Sequence, residues 1–126
     1  MDQFDNRANR VAHYETTGPE IFAQTHGKID AFTCATGTGG TLAGTAQYLR
    51  EQDPGIKIFL ADPPGSVLYR YVQEGLLERQ GDGSITEGIG QGRVTNNLKG
   101  TEFDDAIHVP DDRSIAMVYR LLHEEG

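Results

Sequence analysis

Thr36-Gly37-Thr38-Gly39-Gly40-Thr41 is the stretch from which the rest of the chain can be read. It follows Ala31-Phe32-Thr33-Cys34-Ala35, an apolar run with the length of a short buried strand. It precedes Leu42-Ala43-Gly44-Thr45-Ala46-Gln47-Tyr48-Leu49-Arg50, which has helical periodicity. A strand, a glycine-rich turn and a helix in that order make an anion site, because glycines turn the backbone tightly and the first N–H groups of the helix have no partner of their own. The helix dipole favours negative charge at the same point. Thr38 and Thr41 add hydroxyl donors, so a phosphate group is the natural ligand. The spacing excludes two common phosphate loops. A dinucleotide fingerprint needs a third glycine where Leu42 stands, and a Walker loop needs lysine after Gly44, where Thr45 stands. Taken alone, the turn also satisfies a second reading, a tight strand-to-helix connection that binds nothing.

Working outward, Leu42, Ala46 and Leu49 form one apolar stripe, and Ala43 and Gly44 are small enough to let the helix approach a sheet closely. Asp53-Pro54-Gly55 ends this helix. Residues 56–61, Ile-Lys-Ile-Phe-Leu-Ala, read as a second strand covered on both faces. A helix between two such strands implies a right-handed parallel crossover, with the glycine turn beyond the carboxyl end of a strand, where open α/β sheets bind ligands. Upstream, Asn9 reads as the cap of a short turn containing Val11, Ala12 and Tyr14. Thr16-Thr17-Gly18-Pro19-Glu20 opens a helix that ends near His26-Gly27. Downstream, Asp62-Pro63-Pro64-Gly65 is a turn, and Ser66 caps a short helix through residues 67–72. Periodicity fails from Glu74 to Gly100, a length that marks a functional or disordered loop. Residues 105–109 resume as a strand. Pro110-Asp111-Asp112 opens a last helix with Ile115, Val118, Tyr119 and Leu122 on one face.

The composition bounds the function. A chain of 126 residues holds one domain at most. Its 37% hydrophobic content is low and its 16 glycines are costly to order, as expected of a piece of a larger body. A net charge of −8 argues against nucleic acid. The single cysteine, Cys34, lies in the first strand and reads as a small buried hydrophobe. No run reaches membrane-spanning length and the N-terminus is polar from Asp2, so the expected location is cytoplasmic. The four histidines, His13, His26, His108 and His123, share no metal-ligand spacing, so no metal site is expected. Asp104-Asp105 and Asp111-Asp112 read as a solvated edge or helix-capping acids.

A second candidate site is Glu87-Gly88-Ile89-Gly90-Gln91-Gly92-Arg93, whose alternating glycines let main chain lie flat against a planar ligand. Together with Gln3-Phe4-Asp5-Asn6, Ala8-Asn9, His13-Tyr14, residues 16–21, the glycine turn, Ala61-Asp62-Pro63 and Gly65-Ser66-Val67-Leu68, it resembles the cysteine synthase (O-acetylserine sulfhydrylase) family in order and spacing. This is a pyridoxal 5′-phosphate (PLP) dependent family, and cystathionine β-synthase is a weaker likeness on the same fold. The resemblance implies an α/β fold: a partial open parallel sheet with flanking helices, most of the larger domain of a tryptophan-synthase-β-like PLP fold. It implies that Gly37, Thr38, Gly39, Gly40 and Thr41 hold the PLP phosphate. It also implies that Gln3, Gly88 and Ile89 face the amino-acid substrate. The implied reaction replaces the acetate of O-acetylserine with sulfide to give cysteine, PLP serving as electron sink.

The resemblance also sets out what is expected to be missing. The family's Schiff-base lysine and its Ser/Thr-Gly-Asn loop would precede residue 1, and its Gly-Ser-Ser-Gly segment would follow Gly126. Residues 1–126 are therefore expected to be a partial PLP-binding domain, an internal fragment without a catalytic residue. Arg7 stands where the family usually has proline. Lys28, Lys57 and Lys99 match no family lysine motif and read as solvated. A homodimer and a serine acetyltransferase partner are implied for the full-length enzyme. Two alternatives stay open: a cystathionine β-synthase-like enzyme, and a non-catalytic phosphate-binding module.

Overall fold

The computed structural model describes residues 2–126. Two short helices, α1 (Ala8–Glu15) and α2 (Thr17–Gln24), lead into β1 (Ala31–Ala35), α3 (Gly40–Gln52) and β2 (Lys57–Asp62). They are followed by α4 (Leu68–Glu74), β3 (Asp105–His108) and α5 (Asp111–Glu124). The strands form one sheet in the order β1-β2-β3, and both pairs are parallel, Phe32 opposite Ile58 and Leu60 opposite Ala106. The helical crossover expected around α3 is therefore present, and the three strands end on the same side of the sheet.

The expected stripe of α3 makes the core. Leu42, Ala46 and Leu49 are buried with Ile56, Ile58, Leu60 and Ala106 of the sheet and with Val67, Leu68 and Leu98. The small residues of α3 also serve its outer side. A Cβ on Gly44 would stand 2.2 Å from the carbonyl oxygen of Arg10, so α1 crosses α3 almost backbone to backbone.

Several expectations need correction. β1 is an edge strand with Ala31 and Thr33 exposed, not a buried one, because only β2 flanks it. Cys34 is half-buried, its Sγ donates to the Ala35 carbonyl at 3.0 Å, and burial raises its thiol pKa. Only one face of β2, with Ile58, Leu60 and Asp62, is fully covered; Phe59 and Ala61 are half-buried. Asn9 lies inside the first turn of α1 and does not cap it; the side chain of Asn6 accepts from the N–H of Ala8 instead. The Thr16 hydroxyl donates back to the Ala12 carbonyl and does not cap α2. His26 and Gly27 both take positive φ just past α2, as the stop signal required. Ser66 accepts from the Leu68 N–H at the start of α4. In α5 no residue is buried, and Ile115, Val118, Tyr119 and Leu122 are exposed because nothing else among the described residues packs on them.

Asp104 knots the far end of the sheet. Its carboxylate accepts from the Ile58 N–H at 2.7 Å, from Lys57 at 3.1 Å and from Arg50 of α3. The Ile58 N–H is the largest influence, followed among the stabilising ones by Lys57 and Arg50, and the pKa falls from 3.8 to about 2. A lowered folded-state pKa gives stabilisation that is complete above 3.8 and is lost as pH falls through about 2. A carboxyl-carbon NMR titration should place the Asp104 midpoint near 2, and a midpoint near 3.8 would contradict the knot.

Candidate functional site

The glycine turn leaves β1 at its carboxyl end and enters α3 at its first residue. Gly39 has φ 89°, which a residue with a side chain adopts only under strain, and a Cβ there would stand 2.3 Å from Cγ of Leu98. In this geometry the amides are left over. None of the N–H groups of Gly37, Thr38, Gly39, Thr41 and Leu42 donates to a protein acceptor among the described residues. Gly40 makes only a 3.5 Å contact to the hydroxyl of Thr38. The regular partner of Leu42 N–H would be the carbonyl of Thr38, which instead accepts from the buried hydroxyl of Thr95 at 2.8 Å. A concave run of unpaired donors at a helix start is an anion cradle.

Residues 87–93 lie over this turn. Gly90 N–H donates to the Thr36 carbonyl at 2.8 Å, and a Cβ on Gly37 would stand 2.2 Å from the carbonyl oxygen of Gly88. Ser66 anchors the overlying loop: its hydroxyl donates to the Gln91 carbonyl at 3.1 Å and accepts from the Gln91 N–H at 3.0 Å. Ile89 helps line a cavity of about 180 Å³ with Ala35, Ala61, Asp62, Thr86 and Val109, at the carboxyl ends of the strands. The long segment between α4 and β3 thus carries no helix or strand yet is tied to the sheet.

Among the described residues, the buried side-chain atoms without a hydrogen-bond partner include Thr36 Oγ1, Asp62 Oδ1 and His108 Nε2 at this end of the sheet. They stand just after β1, at the end of β2 and at the end of β3. Burial pushes the Asp62 carboxyl above its ordinary value, against the opposing N–H of Tyr69 and the nearby His108. Asp111, expected as a cap or solvated acid, accepts from Ser84 at 2.6 Å and from the Ile85 N–H at 2.9 Å, and so ties α5 to the long loop.

The third predicted element also arrives here. The carbonyl of Gln3 accepts from the side-chain amides of Asn9 and Asn97, both at 2.9 Å. Asn9 donates at 2.9 Å to the hydroxyl of Thr38 as well, so the Gln3 segment is coupled directly to the turn. Asp5 clamps the other end of the overlying loop through a two-pronged pair with Arg93 and the N–H of Asn96; Arg93 chiefly lowers its pKa to about 2. The residues singled out from the sequence (Gln3, the turn at 37–41, and Gly88 with Ile89) therefore belong to one locality.

The lysines do not join them. Lys57 starts β2, at the opposite end of the sheet, and pairs with Asp104; Lys28 lies between α2 and β1, at that same end. Lys99 is exposed, with its carbonyl held by Arg10 at 3.0 Å. Among the described residues no group of His, Cys, Asp and Glu side chains could hold a metal ion, and no helix is long and apolar enough to cross a membrane.

The family model described as "Pyridoxal-phosphate dependent enzyme" matches residues 1–126. The chain belongs to this family. Among curated members it is 62% identical over 131 residues to Cysteine synthase 1 of Emericella nidulans, covering 99% of this chain and 35% of that protein. It is 63% identical over 130 residues to Cysteine synthase 1 of Neurospora crassa, covering 99% and 34%. A solved structure, the O-acetylserine dependent cystathionine beta-synthase from Helicobacter pylori, superposes with a TM-score of 0.85 at 30% identity, covering 98% of this chain and 38% of that one. The chain thus spans about a third of the length of these curated relatives, and its parallel sheet and helices are those of PLP-dependent enzymes of this type. The family's cofactor carries a phosphate, and the cradle fits one in kind: unpaired N–H groups, the hydroxyls of Thr38 and Thr41, and no acidic side chain within residues 36–41.

Gly37→Ala tests the contact between turn and overlying loop. The new methyl would meet the Gly88 oxygen at 2.2 Å and should cost about 1–3 kcal/mol in urea unfolding. Gly92→Ala, which meets open space at unstrained φ, should cost less than about 1 kcal/mol. Equal losses would refute the contact.

Proposed function

We propose that these residues form the cofactor-phosphate and substrate-facing part of a cysteine synthase, a PLP-dependent β-replacement enzyme that makes cysteine and acetate from O-acetylserine and sulfide. The single observation that carries the reading is the set of unpaired amides at Gly37, Thr38, Gly39, Thr41 and Leu42 beneath the Gly88 loop. The 62–63% identity to two fungal cysteine synthases supports the choice of second substrate over the cystathionine β-synthase alternative. On this reading Gly37, Thr38, Gly39, Gly40 and Thr41 hold the phosphate through main-chain N–H groups and the hydroxyls of Thr38 and Thr41. Gly88 and Ile89 border the space where the substrate sits, and Gln3 presents its amide to the amino acid. PLP, when bound, supplies the electron sink for loss of the β-substituent. The chain's own part is to fix the phosphate, and so to orient the ring, and to cover the bound amino acid with the 87–93 loop.

On this reading the amine that PLP chemistry requires comes from outside these residues: Lys28 and Lys57 stand at the opposite end of the sheet, and Lys99, near Asp5, is exposed and in no family lysine motif. Residues 1–126 accordingly act as a partial domain within a longer enzyme. The same reading carries a cytoplasmic homodimer able to bind serine acetyltransferase, supported by the family resemblance.

Product analysis tests it. The full-length enzyme containing these residues should convert O-acetylserine and sulfide to cysteine in the presence of PLP. The 126-residue chain alone should yield none above the uncatalysed background. Cystathionine from serine and homocysteine as the main product would overturn the substrate assignment, and turnover independent of PLP would overturn the whole reading.

A further inference from the structure

Asn9 and His13 stand one turn apart on α1, on the side that crosses α3 at Gly40 and Gly44. Each reaches a different hydroxyl of the cradle. Asn9 Nδ2 is 2.9 Å from Thr38 Oγ1, and His13 Nε2 is 3.1 Å from Thr41 Oγ1. The other ring nitrogen of His13 is 2.8 Å from Thr17 Oγ1, at the start of α2.

The direction of the Asn9 hydrogen bonds follows from their partners. Nδ2 of Asn9 also faces the Gln3 carbonyl at 2.9 Å, and a carbonyl can only accept. The amide is thereby oriented with its two protons on Gln3 and Thr38. Thr38 Oγ1 also receives the long contact from Gly40 N–H at 3.5 Å. Both lone pairs of that hydroxyl are committed, so its own proton must be offered elsewhere. Thr41 Oγ1 meets no second donor among the described residues, so either direction is chemically open there; the arrangement that leaves the Thr41 proton free has His13 donating from Nε2, and Nδ1 then accepts from the Thr17 hydroxyl.

We propose that Asn9 and His13 are positioning residues that set Thr38 and Thr41 as outward hydroxyl donors, with Thr17 fixing His13 as the Nε2–H tautomer. Protons then run from Thr17 through His13 to Thr41, and from Asn9 to Thr38, each hydrogen bond ending on a hydroxyl with one free O–H. An anion in the cradle then meets an O–H donor at both threonines. Binding of an acceptor-only group such as a phosphate gains from this bias, and an uncharged ligand gains nothing. The inference rests on the proposed cofactor site for its ligand but not for its tautomer.

The test uses the full-length enzyme and has two arms. In the first, long-range proton–nitrogen NMR at pH 8 reads the His13 ring without cofactor. The Nε2–H form should predominate and should give way to a mixture in Thr17→Val, whereas a predominant Nδ1–H form overturns the proposal. In the second, the affinity for PLP is compared with that for pyridoxal, which lacks the phosphate. Asn9→Ala and His13→Ala should each lower the PLP-to-pyridoxal affinity ratio roughly tenfold, as expected for one charge-assisted hydrogen bond. Pyridoxal affinity itself should stay unchanged, which shows that the fold is kept. His13→Gln, which keeps a donor nitrogen at similar reach, should restore most of the ratio. A wild-type enzyme with no preference for PLP would sink the proposed cofactor site while leaving the tautomer result to judge this inference. A wild-type preference that survives both alanine variants would sink the inference alone.

Discussion

The structure depends on a set of hydrogen bonds that are not made. Among the described residues no protein acceptor meets the amides of Gly37, Thr38, Gly39, Thr41 and Leu42 at the start of α3, and the groups around them are engaged elsewhere. Thr95 takes the carbonyl of Thr38, Gly90 takes that of Thr36, and the carbonyl of Gly88 is pressed against the Cα of Gly37. Unpaired donors are expensive when no solvent or ligand reaches them. Donors kept aligned in this way call for water or a ligand as their acceptor.

That constraint explains the glycines better than flexibility does. Gly37 and Gly39 are needed because Gly88 and Leu98 occupy the space a Cβ would fill, and Gly44 because the backbone of α1 crosses there. The protein's own packing brings the overlying loop and α1 against the turn, and that packing leaves the amides free on the remaining side. The Gln3 segment reaches the same place through Asn9, and residues 87–93 through Ser66 and the Asp5–Arg93 pair.

Much of this was legible beforehand. The strand at 31–35, the stripe of Leu42, Ala46 and Leu49 and the parallel crossover follow from apolar periodicity, because burial against a sheet imposes it. The site residues could be grouped only through family resemblance, since Gln3 and Gly88 are far apart in sequence and carry no periodic signal. The contacts of Asn9, His13 and Thr95 with the turn were not legible for a related reason, Asn9 reading as a cap and His13 only as part of a motif. Their roles come from tertiary contacts, and a lone Asn, His or Thr has no pattern to show them. The misjudged burial of β1 and the bare face of α5 share another cause. Apolar sequence reports what an element is built to be packed against, and none of the described residues covers the row from Ile115 to Leu122.

Amide chemical shifts test the central claim most directly. With nitrogen-15-labelled full-length enzyme, adding PLP should move the resonances of Gly37, Thr38, Gly39, Thr41 and Leu42 strongly downfield, and adding pyridoxal should leave them nearly in place. Binding of PLP with those amides unmoved, and the shifts elsewhere, would contradict the account.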